Sequence, residues 1–490
     1  MLVYSENRVY QKQNSIKLKS RISTFADRSF SCLKRIAGVD DSSAHPAAHI
    51  FFILNQYIAK IMSKTQKHPW FRPRHYLHFD RPVSLAFSES YVTVPDNICT
   101  HAFYPFINYI LQSARYKKDE SSGEMTKATP KQRSISYAAH LDSQIYSYYA
   151  FLLAKNYEKT LSEKSLHENI IAFRSLGGKS NIEFARDAFS FIKDMGECDV
   201  YGLDVKQFFD TMRHEHLKKM WATVLGCKNL PNDHWAVFKA ITQFRTVNRD
   251  CLYHLLSIPK NNPKKGRIRV CEPNYFREIV RPSGLISEKA KIGVPQGSPI
   301  SAILSNVYML SFDEAMKSYS DSLGGAYYRY CDDILIVVSP GSRGVEEKIE
   351  KMLSDIGLEI QAKKTLCPKF RSVDGVLHSD KDLQYLGFMF NGNSIWLRSA
   401  SLAKYSKKFN KGLRLAIQTM EKANSKRRSR GEATRDLYKN LIYKRYTYFG
   451  RRNFISYALK AANIMKSKKI RKQIKPLWNR LKLRIKHATE

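Results

Sequence analysis

The stretch YYRYCDDILIVV, residues 327–338, sets two adjacent aspartates inside a run that otherwise reads as the core of a sheet. An ionised carboxylate in an apolar strand is costly unless a partner compensates it. The pair therefore needs either a solvated turn, which aspartate favours through its own backbone, or a cation. Side-chain alternation along a strand puts Tyr328, Tyr330 and Asp332 on one face and lets Asp333 open a tight hairpin.

A second stretch weighs on the choice. In DVYGLDVKQFFDTM, residues 199–212, the same alternation groups Tyr201, Leu203 and Val205 on one face and leaves Asp204 alone on the other. Two inward carboxylates from separate strands suit a pair of magnesium ions. Two-metal phosphoryl transfer needs hard oxygen ligands that hold cations about 3.5 to 4 Å apart. A third stretch, KIGVPQGSPISAILSNVYML at 291–310, has Gly293 and Gly297 for a tight turn, Ser298 as a cap and Pro299 at a first helical position. Ile303, Val307 and Leu310 then give the following helix an apolar face.

The bulk composition points to a globular protein with a nucleic-acid partner. The chain has 490 residues, enough for two to four packed units, and is 43% hydrophobic and 12% aromatic, which excludes general disorder. Lysine and arginine number 82 against 44 acidic residues, a net charge of +38. Such an excess repels itself unless a polyanion neutralises it, and nucleic acid fits better than an anionic membrane surface. No apolar run is long enough to cross a bilayer, the opening residues lack the apolar core of a signal peptide, and the eight cysteines include no CxxC pair. A reduced, cytoplasmic protein without membrane attachment is the expectation.

Along the chain, residues 1–118 form an N-terminal extension rich in aromatics and histidine, with a helical stretch HIFFILNQYIAKIM at 49–62. The polar run KKDESSGEMTKATP, 117–130, reads as a linker. Strand-like and helix-like runs alternate over 119–395, which predicts an α+β fold. Beyond 396 the pattern turns helical and basic, with Leu402, Tyr405, Phe409, Leu413, Ile417 and Met420 recurring every three or four residues. Residues 401–490 carry 27 lysines and arginines against 4 acidic residues, and EKANSKRRSRGEAT at 421–434 reads as a flexible loop. His214 and His216 lack a third ligand and read as packing residues, as does the aromatic group near Trp70.

The order of these stretches resembles reverse transcriptases of the bacterial type, a class with group II intron, retron and phage-defence members. YCDD matches the family's YxDD hairpin, DVKQFFD its first aspartate motif and GVPQGSPIS its nucleotide-contacting turn. KQRSISYAAHLDSQIYSYY (131–149), FRSLGGKSNIEFA (173–185), GLEIQAKKT (357–365) and LQYLGF (383–388) match further segments in the family's order. The resemblance implies a right-hand polymerase: fingers and palm over 119–395, the palm with an antiparallel sheet, and a helical thumb over 396–490. It makes Asp204, Asp332 and Asp333 catalytic and adds Val205 to them around two Mg2+ ions. Arg174 and Lys179, with Arg186 as an alternative, would meet the triphosphate. Phe209, Gln296, Gly297 and Tyr330 would line the nucleotide pocket, with Phe209 under the sugar where a 2′-hydroxyl has no room. Tyr385, Leu386 and Gly387 match the segment that grips the primer end.

Within the family, the long N-terminal extension with HAFYPFINYI (101–110) and the thumb segment GRRNFISYALKAANIM (450–465) look like the defence-associated, unknown-group enzymes. That resemblance implies an anti-phage role, a dedicated structured non-coding RNA as template, dNTPs as substrates and DNA as product. No RNase H or HNH pattern follows the thumb. The rival readings are a group II intron maturase and template-independent DNA synthesis on a protein hydroxyl. A catalytically silent RNA-binding scaffold is a third, against which the retained aspartates argue. The thumb helices could pack within a monomer or against a second copy, so a homo-oligomer also belongs among the expected assemblies.

Overall fold

Ile334 to Val338 become a strand buried on both faces, and the rest of the fold is arranged around it. A five-stranded antiparallel sheet runs in the order β5 (Ala326–Tyr330), β6 (Asp333–Val338), β3 (Cys198–Asp204), β7 (Lys369–Val373) and β8 (Val376–Ser379). On one face Leu203, Ile334, Ile336 and Val338 join a core with α1 (His140–Glu163), α5 (Ser301–Tyr308) and α6 (Leu310–Ser322). On the other, Cys198, Val200, Leu335 and Val337 join a second core. That core includes α2 (Asn181–Met195), β10 (Phe388–Phe390), α8 (Phe454–Ile464) and α9 (Lys468–Lys486). Each fully buried Leu, Ile or Val contributes about 1.5–3 kcal/mol, so the apolar run is held from both sides.

This computed structural model describes residues 68–118, 125–361 and 365–487. Residues Trp70–Glu490 form one compact unit. The helix expected at 49–62 lies outside the described residues. Within this unit, β2 (Met125–Tyr137) pairs antiparallel with β1 (Phe106–Lys118), and β1 pairs parallel with β4 (Thr246–Asn248). The polar stretch expected to be a linker is thus no linker. Lys118 lies opposite Met125 and Arg115 opposite Ala128, so its ends belong to paired strands. Polar residues alternate as readily along a solvated strand as along a loop, and composition alone does not separate the two. A small antiparallel sheet of β9 (Leu383–Tyr385), β10 and β11 (Ile395–Leu397) leads into the C-terminal helices.

Those helices begin with α7 (Ser399–Arg428), thirty residues long, whose Tyr405, Phe409 and Leu413 are buried. The loop expected at 421–434 is helical through Arg428, because alanine, lysine and arginine favour the helix and no glycine intervenes before Gly431 (φ 70°). Phe409 and Leu413 pack with Leu437, Ile442, Leu481 and Ile485 in a core of their own. Among the described residues, no helix is long and apolar enough to cross a membrane.

Candidate active site

β3 ends at Asp204, and the register sets it directly opposite Asp333, the first residue of β6. Paired residues in an antiparallel ladder send their side chains to the same face, about 4.5–5.5 Å apart at Cα. Tyr330 lies opposite Asp333 on the other side. Asp204, Asp333 and Tyr330 therefore come together at the strand ends, where the Tyr330 ring reaches the first core. All three are half-buried.

The loop between β5 and β6 is Cys331–Asp332, two residues earlier in its bend than the alternation predicts. Cys331 adopts φ 61°, and a positive φ at the first position of a two-residue loop matches the twist of the flanking strands. Strand parity stops there, so Asp333 rather than Asp332 faces Asp204 across the ladder, while Asp332 sits in the turn beside them. The turn is tied to β3 by the Val205 N–H, which donates to the Asp332 carbonyl at 3.2 Å. The Asp204 carbonyl accepts from the Gln361 N–H at 2.8 Å, bringing the 357–361 segment alongside. Burial and the neighbouring Asp332 push the Cys331 thiol up to about 12, so it stays protonated and takes no part as a thiolate.

A buried ion pair lies under this turn. Arg329 and Asp313 are both fully buried, joined by two bonds of 2.6 Å, and Tyr327 donates to the same carboxylate at 2.6 Å. The remaining guanidinium nitrogen reaches Asn306 Oδ1 at 3.2 Å and the Cys331 carbonyl at 3.3 Å. Asn306 in turn donates to the Ala172 carbonyl at 3.0 Å. One cation thus links α5, α6, the 172 segment and the carboxylate-bearing turn. No motif marks Arg329; the only hint is a charge that alternation places between apolar positions.

The glycine turn closes over the site from the other side. Gly293, at φ 78°, lies so close to α3 (Phe208–Thr211) that an added Cβ would come within 2.7 Å of the Asp210 carbonyl. Val294 donates to the Phe209 carbonyl at 2.8 Å, which fixes the backbone beneath the half-buried Phe209 ring. At φ 117°, Gly297 would put a Cβ 2.5 Å from the Ser136 carbonyl, while Gln296 accepts from the Ser136 N–H at 2.8 Å. The Gln296–Gly297 turn is therefore docked on the end of β2. His214 and His216 are spent on the carbonyls of Gly293 and Tyr308, at 2.8 and 2.9 Å, as the packing reading expects.

Leu386 and Gly387 form the loop between β9 and β10, with φ values of 46° and 91°. Positive φ at both positions is the signature of a type I′ turn. Asn181 holds the Leu386 carbonyl at 3.0 Å. Tyr385 is buried, its hydroxyl has no hydrogen-bond partner, and burial followed by the nearby Asp333 pushes it well up from its ordinary value. This loop thus stands beside the carboxylates.

Arg174 departs from expectation. Its side chain is 1% exposed and is engaged by Glu158 at 2.8 and 2.7 Å and by the carbonyls of His167 and Ile170. A guanidinium so enclosed braces α1 against the following loop and is not presented to a triphosphate. Lys179 and Arg186 remain about half exposed and share Asp187, at 3.0 and 2.6 Å. Phe173, which no motif singles out, is 53% exposed and held at φ 60°. A bulky residue rarely adopts that region, and the pinned neighbours Ala172 and Arg174 impose it.

The donor set at the strand ends is all oxygen: three carboxylates, with the Val205 carbonyl next in sequence. Among the described residues no three His, Cys, Asp or Glu side chains are gathered closely enough to hold a metal ion by themselves.

A mixed fold with paired carboxylates at a hairpin beside a glycine turn defines a polymerase-type palm. Residues 127–390 match the family described as reverse transcriptase (RNA-dependent DNA polymerase). The chain belongs to the reverse transcriptase family, and its fold is the right-hand polymerase fold. Solved structures with which it aligns include apo telomerase from Candida tropicalis truncated from its C-terminal domain (10% identity, 60% of this chain and 57% of that one, TM-score 0.36). Telomerase from Candida albicans in complex with a TWJ fragment of telomeric RNA gives 12%, 74%, 55% and 0.34, and apo telomerase from Candida tropicalis gives 10%, 75%, 62% and 0.35. The chain spans little more than half the length of these structures. No curated protein matches it.

Proposed function

We propose that the protein is an RNA-directed DNA polymerase that adds dNTPs to a primer hydroxyl. The observation that carries this reading is the register of β3 against β6, which sets Asp204 opposite Asp333 beside the Asp332 turn. Asp204, Asp332, Asp333 and the Val205 carbonyl would hold two Mg2+ ions, which when bound activate the primer hydroxyl and neutralise the leaving pyrophosphate. The chain's own residues do the positioning. Arg329 and Asn306 fix the turn, the Gln296–Gly297 backbone and Tyr330 border the nucleotide, Phe209 meets the sugar, and Lys179 or Arg186 meets the triphosphate. The 385–387 loop holds the primer end. Alignment of this kind supplies much of the rate of phosphoryl transfer.

The finer reading is a defence enzyme of the cytoplasm that copies a dedicated non-coding RNA. It rests on the resemblance of the 101–110 and 450–465 segments and is compatible with the +38 charge. The test is to purify the protein from its native locus with any RNA it retains, supply each dNTP singly and together with Mg2+, and sequence RNA and product, with Asp332→Asn as control. A discrete RNA and a product that depends on Asp332 are expected. Equal synthesis by the variant would remove the polymerase reading; bound RNA without product would favour a maturase or scaffold.

A further inference from the structure

Away from the carboxylates, a recess of about 220 Å³ opens at the start of α1. Arg74, Lys264 and Arg267 border it, together with Tyr76 and His140. No carboxylate forms an ion pair with these three cations among the described residues. Arg74 reaches only the hydroxyls of Ser143 and Ser147, at 2.9 and 3.4 Å, and Arg267 only the Lys265 carbonyl at 3.3 Å. Both oxygens of Asp80 are taken by the N–H groups of His140 and Leu141 at 2.8 Å.

The second observation is the imidazole. His140 is 1% exposed and stacks on Tyr76 with ring centroids 5.3 Å apart, yet its Nε2 has no hydrogen-bond partner. A buried polar atom left unmatched is costly, and native proteins rarely retain one without a use. Three unpaired cations and an orphaned imidazole nitrogen around one small recess are complementary to an anion with several acceptor oxygens.

We propose that this recess is a phosphate-binding site, separate from the polymerase site, that takes the phosphate of a nucleotide or of a nucleic-acid strand. Lys264 and Arg267 close on it from the exposed 260–268 segment, Arg74 adds a third positive charge, and His140, whose burial disfavours its protonation, donates from Nε2 as the neutral imidazole. None of the residues assigned to the dNTP, the metals or the primer borders it.

The test uses the full chain in magnesium-free buffer at roughly physiological ionic strength, where diffuse charge effects are screened. Calorimetric titration with inorganic pyrophosphate, with dAMP and with a short single-stranded RNA compares wild type with Lys264→Glu/Arg267→Glu. The control is Lys348→Glu/Lys351→Glu, an equal change of net charge at exposed positions elsewhere. The recess variant should lose about tenfold or more in affinity for at least one probe relative to the control. Loss with pyrophosphate or dAMP identifies a free-nucleotide site, and loss confined to RNA identifies a strand phosphate. Equal affinities in the two variants for all three probes would overturn the proposal. His140→Phe keeps the ring against Tyr76 and removes its nitrogens. Folded, it should show the same loss, and wild-type affinity would remove His140 from the site. Because no synthesis is measured, failure here leaves the polymerase reading untouched.

Discussion

Arg329 decides more of the site's geometry than any residue the motifs mark. Replacing it with methionine leaves the buried Asp313 carboxyl without its cation, which costs about 3–5 kcal/mol. Urea unfolding of Arg329→Met should show that loss. The double variant Asp313→Leu/Arg329→Met should recover most of it without restoring synthesis, because nothing then holds the Cys331 carbonyl; restored synthesis would reduce Arg329 to a packing role. Phe209 gives a second prediction. With its backbone fixed by Val294, Phe209→Val should lower discrimination against ribonucleotides by about tenfold or more, a change of at least ~1.4 kcal/mol, while dNTP incorporation persists. Unchanged discrimination in single-nucleotide incorporation would defeat the steric role. The aspartates were legible because a carboxylate in an apolar run demands a reason. Arg329's partner was not, since Asp313 lies sixteen residues back on a helix and burial leaves no mark in spacing. Arg174 misled because a motif position does not say whether the guanidinium points to substrate or scaffold.

Among the elements, α2 is joined to α8 through the carboxylate at its own N-terminus. Ser180 caps it, with its hydroxyl and N–H donating to Glu183 at 2.5 and 2.8 Å, and Lys460 of α8 reaches the same carboxylate at 3.1 Å. Burial works against that charge, but these hydrogen bonds win and hold Glu183 down to about 2. A depressed carboxyl stabilises the fold above its unfolded value of about 4.3 and loses that contribution as the pH falls toward 2. Wild type should therefore exceed Glu183→Gln in urea midpoint by a constant margin near neutrality, and the margin should shrink between about pH 4.5 and 2. A margin independent of pH would mean that the carboxylate's charge is not what joins the helices. The strands at 199–205 and 327–338 were legible from alternation, as was the apolar face of α7. The hairpin bend was displaced because a positive φ at cysteine is invisible in sequence, and the linker was misread because composition does not show that its two ends pair as the ends of β1 and β2.

At the scale of the whole molecule, the charge is the property that sequence and structure describe alike. On α9, Ile470, Ile474, Leu477, Leu481 and Ile485 are buried while Lys472, Lys475 and Lys482 are exposed. The apolar stripe is spent on packing within the C-terminal region, and the basic side stays exposed. If that side meets phosphates, each lysine in contact releases counterions on binding, and log K falls with log salt by about 0.7 to 0.9 per contact. Lys472→Ala/Lys475→Ala should bind single-stranded RNA more weakly at low salt and give a slope shallower by roughly 1.5. Substitutions of Lys348 and Lys351, on the palm helix at 345–355, should leave the slope nearly unchanged. Binding isotherms at four or five salt concentrations separate the cases. A lower affinity with the wild-type slope would mean that the thumb was disturbed rather than discharged. An unaltered affinity and slope would move the RNA off α9 and onto the basic faces of α7 or the fingers.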